Sequence, residues 1–292
     1  MSSTPFSREA PGLTASASAS MLLWISRTLL SLIVSYPLLL AIEASGLVSG
    51  PEGDAVLFRP GALLLLEFAR VGTPLLDSAF KLTLLLGALS ALVELVPLAF
   101  ALDLLCFQGS RFAARVARAG RLFPRFLGLG VIALLAQAAL LFGASLLGAA
   151  LKAALHHADE RLLSLAPLAL LGLGLLLCVW FGCVLDVARA ALVHDPDLAA
   201  REALNEALLS LREQPLRLLL GAYPSVAGGV LAYLSAVWFS TRLDLAGPSN
   251  LAIVLAFGAH QLAVLFAIGW RVRWLSTALT LAIETHTAKS LR

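Results

Sequence analysis

The chain has 292 residues, of which 60% are hydrophobic and only 13% are charged. Soluble globular domains carry about 25% charged residues, so this composition excludes an ordinary soluble protein. The formal net charge of +3 reflects the placement of basic residues around membrane spans, described below, and does not indicate a nucleic-acid-binding protein.

The N-terminal segment is polar and rich in Ser and Ala, and we expect residues 1–20 to form a disordered tail. A cleaved signal peptide is the alternative for the region that follows. The apolar stretch Thr28–Ile42 is long enough to anchor, and Ile42 occupies a position where a cleavage site needs a small residue. We therefore expect a retained anchor, with Arg27 in its first turn reaching the lipid headgroups.

Six stretches of roughly 20 mostly apolar residues are each long enough to cross a hydrocarbon core about 30 Å thick. They lie at residues 21–44, 82–105, 126–148, 162–185, 216–240 and 250–270. A spanning backbone must satisfy its own hydrogen bonds. The sequence therefore predicts an all-α polytopic membrane protein, with a bundle of six transmembrane helices in a single domain over residues 21–288.

Basic residues predict the orientation, because Lys and Arg are retained on the cytoplasmic side of short loops. With the N-terminus inside, the inner segments hold fifteen of the 21 basic residues. We therefore expect both termini to be cytoplasmic. The abundance of Ala, Leu and Arg is typical of a GC-rich bacterial genome, so we expect the bacterial cytoplasmic (inner) membrane.

Three shorter amphipathic segments are predicted to lie in the membrane interface, at residues 60–72, 110–123 and 196–213. The first follows Pro60, a residue that favours a helix start, and is too short to span. The last is predicted to begin with Asp195 as the N-cap and Pro196 at the first helical position, and to end before Pro215.

The predicted helix 110–123 carries a stripe of arginines that continues to the start of the third span. Steps of 4, 3, 3 and 4 residues place the five side chains within about a third of the helix circumference. These residues are Arg111, Arg115, Arg118, Arg121 and Arg125. We expect this arginine stripe to bind anionic lipid headgroups, a protein partner, or the acidic side chains Glu202, Glu206 and Glu213. The alternative is that it only reflects the positive-inside bias.

Four residues with carboxylate, amide or imidazole side chains lie centrally in predicted spans, where ionisable groups cost about 2.5–3.5 kcal/mol and indicate function. These are Glu94, Gln137, His260 and Gln261. Pro97 follows Glu94 closely and is expected to kink the second span. The four side chains could form a cluster that relays protons or binds a polar group. The alternative is a buried, neutral Glu94 that serves only packing.

Two aspartates lie at the predicted cytoplasmic ends of incoming spans. Asp186 and Arg189 are one helical turn apart and can pair, either to gate an opening or to anchor the span end in the interface. Asp103 occupies the corresponding place in the second span, and Arg-x-x-Pro begins the outgoing span in both halves, at Arg121 and Arg212. This similarity predicts a duplicated unit of span, surface helix and span.

Residues with metal-binding or catalytic chemistry are few. A polar cluster follows the third span, consisting of His156, His157, Asp159 and Glu160. Its spacing matches no established zinc motif, and we expect a solvated loop with no metal and no cofactor. Cys106, Cys178 and Cys183 are expected to be free thiols. No Ser/His or Cys/His pair typical of nucleophilic catalysis is recognisable.

The segments Asp186–Val193, Ala203–Leu208 and Arg212–Pro215 carry a family resemblance. There the chain resembles uncharacterised bacterial six-span membrane proteins, similar in layout to the membrane domain of glycerophosphodiester phosphodiesterases. The catalytic barrel of those enzymes has no counterpart in this chain. The resemblance therefore implies an all-helical membrane module without enzyme activity.

Together these features predict a non-enzymatic integral membrane module that organises lipid or protein partners. The expected partners are membrane lipids, anionic ones among them, and either a protein or a second copy of the chain. A transporter or permease for a small or lipid-like substrate, using Glu94 and His260, is the alternative.

Overall fold

The computed structural model describes residues 12–44, 73–107, 110–154, 160–243 and 250–290. All regular structure in these ranges is helical. The helices are α1 (Leu13–Ala44), α2 (Thr73–Val93), α3 (Leu95–Cys106), α4 (Phe112–Ala154), α5 (Glu160–His194), α6 (Ala200–Glu213), α7 (Pro215–Ser240) and α8 (Asn250–Ser290). The all-α prediction is confirmed.

Within the described ranges, six helical segments are long and apolar enough to cross a membrane. They are Leu13–Ala44, Asp77–Cys106, Phe112–Ala154, Leu165–His194, Pro215–Ser240 and Leu251–Ala288. The second segment combines α2 and α3, and the short helix α6 connects the fourth segment to the fifth. The chain is therefore a multi-pass membrane protein, as predicted.

The first and last helices extend beyond their predicted spans. Helix α1 begins at Leu13, within the segment expected to be disordered, because Ala19 is fully buried against the core. Helix α8 continues well beyond its predicted end at Trp270, and Leu275 in the extension is also fully buried. Tertiary packing, which hydropathy does not register, holds both extensions. Residues 1–11 lie outside the described residues.

The arginine-rich segment predicted as a separate surface helix is the first part of α4. Pro124 lies inside this 43-residue helix and does not end it. Leu122 and Phe126, on either side of the proline, are 2% and 0% exposed. Their burial keeps the two parts of α4 in line despite the backbone hydrogen bond that proline removes.

The second predicted surface helix begins later than Pro196. Asp195 accepts a hydrogen bond from the backbone N–H of Asp197 at 3.1 Å, which forms a turn and not a helix N-cap. Helix α6 begins at Ala200, and the Glu202 carboxylate accepts a bond of 3.2 Å from the N–H of Ala199. It ends before Pro215, as predicted. The predicted interfacial helix 60–72 lies outside the described residues.

The helix is interrupted at Glu94, between α2 and α3. The cause is Pro97, which has no N–H to donate to the carbonyl of Val93. The chain nevertheless keeps its direction, because the N–H of Glu94 donates to Ser90 at 2.8 Å and the N–H of Leu98 donates to Glu94 at 3.0 Å.

Buried residues concentrate at one end of the helices, which we call the charged end. It comprises the start of α1 together with residues 95–106, 119–133, 183–193, 203–210 and 268–285. The opposite end, the apolar end, consists of the mostly exposed apolar residues in the ranges 29–40, 80–89, 135–147, 165–177, 230–239 and 251–266. The first turns of α1 and the last turns of α8 both belong to the charged end.

Glycines on α7 allow α8 to approach closely. A Cβ atom at Gly221 would lie 3.0 Å from the ring of Trp274, and one at Gly228 would lie 2.9 Å from the ring of Trp270. Small residues at such contacts let membrane helices pack tightly. This contact fixes the indole of Trp274 inside the charged end.

Candidate functional site

Asp186 on α5 is the centre of a buried charge network and is fully excluded from solvent. Arg189 Nη1 donates to Asp186 Oδ1 at 3.2 Å, the contact that their spacing predicts. Arg271 on α8 donates to both oxygens, at 2.8 and 2.6 Å. Trp274 Nε1 donates at 2.9 Å. The pair of Asp186 and Arg189 is therefore not exposed to solvent at the end of a span. Donors from two helices, α5 and α8, hold the Asp186 carboxylate.

Glu94 forms a second ion pair within the membrane-spanning helices. Its Oε1 atom accepts a hydrogen bond of 2.5 Å from Arg27 Nε on α1. The two side chains are 28% and 38% exposed. Arg27 therefore does not extend to the headgroups as predicted, because the interruption after α2 presents a carboxylate to it.

The two pairs line one cavity of about 180 Å³. Arg27, Glu94, Asp186, Arg189 and Arg271 all contribute to its wall. Glu94 is close enough to act electrostatically on both Arg189 and Arg271. A single water needs only about 10–15 Å³ of such volume, so the cavity has room for a small polar ligand.

Arg189 retains an unused donor in this cavity. The residue is 8% exposed, and among the described residues no hydrogen-bond partner lies within reach of its Nε atom. A buried donor on a charged group that lacks a partner is costly. Its presence indicates a position where a ligand oxygen can be bound.

A second cavity of about 400 Å³ adjoins the first. Arg27 and Glu94 line both cavities, so this ion pair forms the boundary between them. The rest of the second wall comes from α1, α2, α7 and α8 and includes Val34, Tyr233 and Gln261. Ligand pockets in proteins usually have about 300–1,000 Å³, so the second cavity is large enough to be one.

The predicted polar cluster is brought together only in part. Glu94 and Gln137 line the smaller cavity, and Glu94 and Gln261 line the larger one. His260 lines neither of them. Its Nδ1 atom lies 2.8 Å from the carbonyl of Ala256, one turn earlier on the same helix. Adjacent residues on a helix point about 100° apart, which is why only one of His260 and Gln261 faces the cavity.

Gln137 also has a packing role, because its Nε2 atom donates to the carbonyl of Cys178 at 3.3 Å and joins α4 to α5. Cys106, Cys178 and Cys183 are free and buried. The described residues contain no group of three potential ligands that could hold a metal ion. His156, His157 and Asp159 lie outside them.

Asp103 forms a smaller site of the same kind at the end of α3. It is 1% exposed, and Arg118 donates to its two oxygens at 2.6 and 3.0 Å. Arg115 lies 4.0 Å away. Asp103 and Asp186, which the sequence places at equivalent positions, thus each bind two arginines, although their partners come from different parts of the chain.

The arginine stripe is therefore divided. Arg115 and Arg118 turn inward to Asp103, and Arg125 donates to the backbone carbonyl of Pro196. Arg111 and Arg121 are exposed. Glu206, one of the acidic side chains of α6, is 2% exposed and lies 3.4 Å from His286 on α8.

Sequence reasoning missed Arg27, Arg271 and Trp274 as members of the network. For Arg27 the match with Glu94 appears only in the helix bounds of the structure: Leu13 lies 14 residues before Arg27, and Cys106 lies 12 residues after Glu94. The two opposite charges are therefore at similar depth from the same end of the bundle. The early start of α1, which hydropathy does not show, concealed this match.

Comparisons of the chain with protein-family models, with curated proteins and with solved structures found no match. The functional argument therefore rests on the geometry of the site.

Proposed function

We propose that this chain is a non-enzymatic integral membrane module that organises anionic lipid at the cytoplasmic face of a bacterial inner membrane. The supporting observation is the concentration of guanidinium groups at one end of the helices, with some of them paired inside and others free to face headgroups. We also expect either a protein partner or a second copy of the chain to bind the protein.

The beginning of α4 is the surface that supports lipid contact most directly. Arg111 and Arg121 are exposed, and so are the apolar side chains Phe112 and Val116, at 75% and 45%. Exposed basic and apolar residues on one helix are typical of a segment in the membrane interface. Each basic residue near an anionic surface contributes about 1 kcal/mol.

Thermal unfolding in nanodiscs tests this proposal. Replacing part of the phosphatidylcholine by phosphatidylglycerol should raise the unfolding midpoint of the wild-type protein, because a lipid that binds the folded state stabilises it. The double variant Arg111→Gln, Arg121→Gln should lose much of this shift, and the loss should shrink at high salt because exposed charges are screened.

Arg242→Gln provides the matched control, since Arg242 is an exposed arginine beside the apolar end that stacks on Trp238 at 5.1 Å. It should lose less of the response to phosphatidylglycerol than the double variant does, because it removes one basic residue and not two. An equal response in the double variant and in the wild type would contradict lipid binding by this surface.

Transport of a small or lipid-like substrate is the second candidate function. The position of Glu94 between two cavities favours it, because ionisable residues inside a membrane commonly mark substrate or ion pathways. In proteoliposomes, Glu94→Gln should abolish proton-coupled uptake, while the unfolding midpoint falls only by the loss of the ion pair with Arg27. Unaltered uptake by this variant would remove Glu94 from any transport mechanism.

A further inference from the structure

We propose that the smaller cavity is a binding site for a phosphate-type oxyanion, held by Arg27, Arg189 and Arg271. The site lies inside the bundle and is separate from the exposed surface at the beginning of α4. The proposal therefore goes beyond the proposed function and can stand or fail independently of it.

The charge balance of the cavity favours an anion. Among the described residues, its wall contains three guanidinium groups and two carboxylates, those of Glu94 and Asp186. One positive charge is therefore uncompensated within helices that span the membrane. An unpaired charge in such a position is costly, and a bound anion is the simplest compensation.

The unused hydrogen-bond donors point to an oxyanion. Arg271 and Trp274 donate hydrogen bonds to the two oxygens of Asp186. Arg189 donates to Asp186 only through its Nη1 atom. The buried Nε of Arg189 is left without a described partner. Guanidinium groups bind phosphate through paired N–H donors in a fixed geometry, and a phosphate oxygen would satisfy this donor.

The ligand could be a free phosphate or the headgroup of a lipid, which have this chemistry in common. A lipid headgroup would need space for its acyl chain, and the larger cavity offers it. This cavity shares Arg27 and Glu94 with the smaller one, and Leu30, Val34 and Val264 also line it. A headgroup at the arginines would place an acyl chain along this wall. The two sources therefore differ in whether the larger cavity is used.

The test is a titration of the full-length protein in phosphatidylcholine nanodiscs, with inorganic phosphate as one probe and phosphatidate as the other. Binding should raise the unfolding midpoint. A shift with both probes identifies the phosphate group alone as the ligand, and a shift with phosphatidate only identifies a lipid headgroup. The titration is repeated in the double variant Arg111→Gln, Arg121→Gln, which lacks the surface lipid contact proposed above. Either result in that variant supports the internal site, and no shift with either probe would overturn it.

Two variants that break the same ion pair should change binding in opposite directions. Arg27→Gln removes a cation from the cavity and should weaken binding at least about tenfold, the effect of one charged hydrogen bond. Glu94→Gln removes the competing carboxylate and should strengthen binding. If the pair were only structural, both variants would lower stability and neither would alter the response to the probes.

Arg217→Gln is the matched control, because Arg217 pairs with Glu284 at 2.6 Å at the charged end and lines neither cavity. It should bind the probes as the wild type does. Loss of binding in this control, or unchanged binding in Arg27→Gln, would overturn the proposal. The double variant of Arg111 and Arg121 should keep the internal site, which separates this test from that of the proposed function.

Discussion

The charged end and the apolar end of this protein are held together differently, although the same long helices form both. At the charged end, Phe126 and Trp274 are 0% and 1% exposed, as in the core of a soluble protein. At the apolar end, Phe142 and Leu262 are 66% and 69% exposed, because other parts of the chain do not cover them. Lipid must cover these side chains, because they face outward from spanning helices.

This difference explains where the charges lie. A carboxylate such as Asp186 is tolerated only where several donors and a surrounding layer of protein are available. In the described part of the apolar end, the exposed positions are dominated by Leu, Ile, Val and Phe, which offer no side-chain donors. Among the described residues, the buried ion pairs therefore lie towards the charged end of the bundle.

The largest expected effect comes from removing the centre of the network. Asp186→Asn keeps the size of the side chain but leaves Arg189 and Arg271 without their counter-charge in a buried position. We expect the free energy of unfolding to fall by about 3–5 kcal/mol, measured by unfolding in detergent. Asp103→Asn should cost less, because Arg118 is 21% exposed and keeps its bond to Ser110, whereas the side chain of Arg189 beside Asp186 is only 9% exposed. Equal losses of unfolding free energy in the two variants would contradict our conclusion that Asp186 is the more strongly buried of the two charge sites.

A pair of phenylalanines on α4 compares the two ends within one helix. Phe126→Ala should lower the free energy of unfolding by about 3 kcal/mol, because the truncation leaves a cavity in a packed core. Phe142→Ala should change it by less than about 1 kcal/mol, since lipid can fill the space and there is no hydrophobic driving force between helices in a bilayer. Similar losses for both variants would show that the apolar end is covered by protein, as in an oligomer.

Local sequence signals were enough to predict the number of spans and the contact of Asp186 with Arg189, because hydropathy and a three-residue spacing act within one helix. The partners that define the site were out of reach. Arg271 is 85 residues from Asp186, and Arg27 is 67 residues from Glu94. Such pairs depend on which helices become neighbours and at what depth, and one sequence contains no direct measure of either.

The smallest expected effect concerns glycines and sharpens the comparison of the two ends. Gly221→Ala places a Cβ atom 3.0 Å from the ring of Trp274 and 3.2 Å from Thr277. The indole cannot retreat freely, because it donates to Asp186. We expect a loss of about 1–3 kcal/mol from overpacking.

The same substitution at the apolar end should have the opposite sign. A Cβ atom at Gly143 on α4 would have nothing within 4 Å, so Gly143→Ala gains only the better helix propensity of alanine. We expect stabilisation of about 0.5–1 kcal/mol. Chemical unfolding of both variants in one detergent measures the difference directly. A loss at Gly143 would mean that another helix approaches α4 there, and it would place a protein contact where we expect lipid.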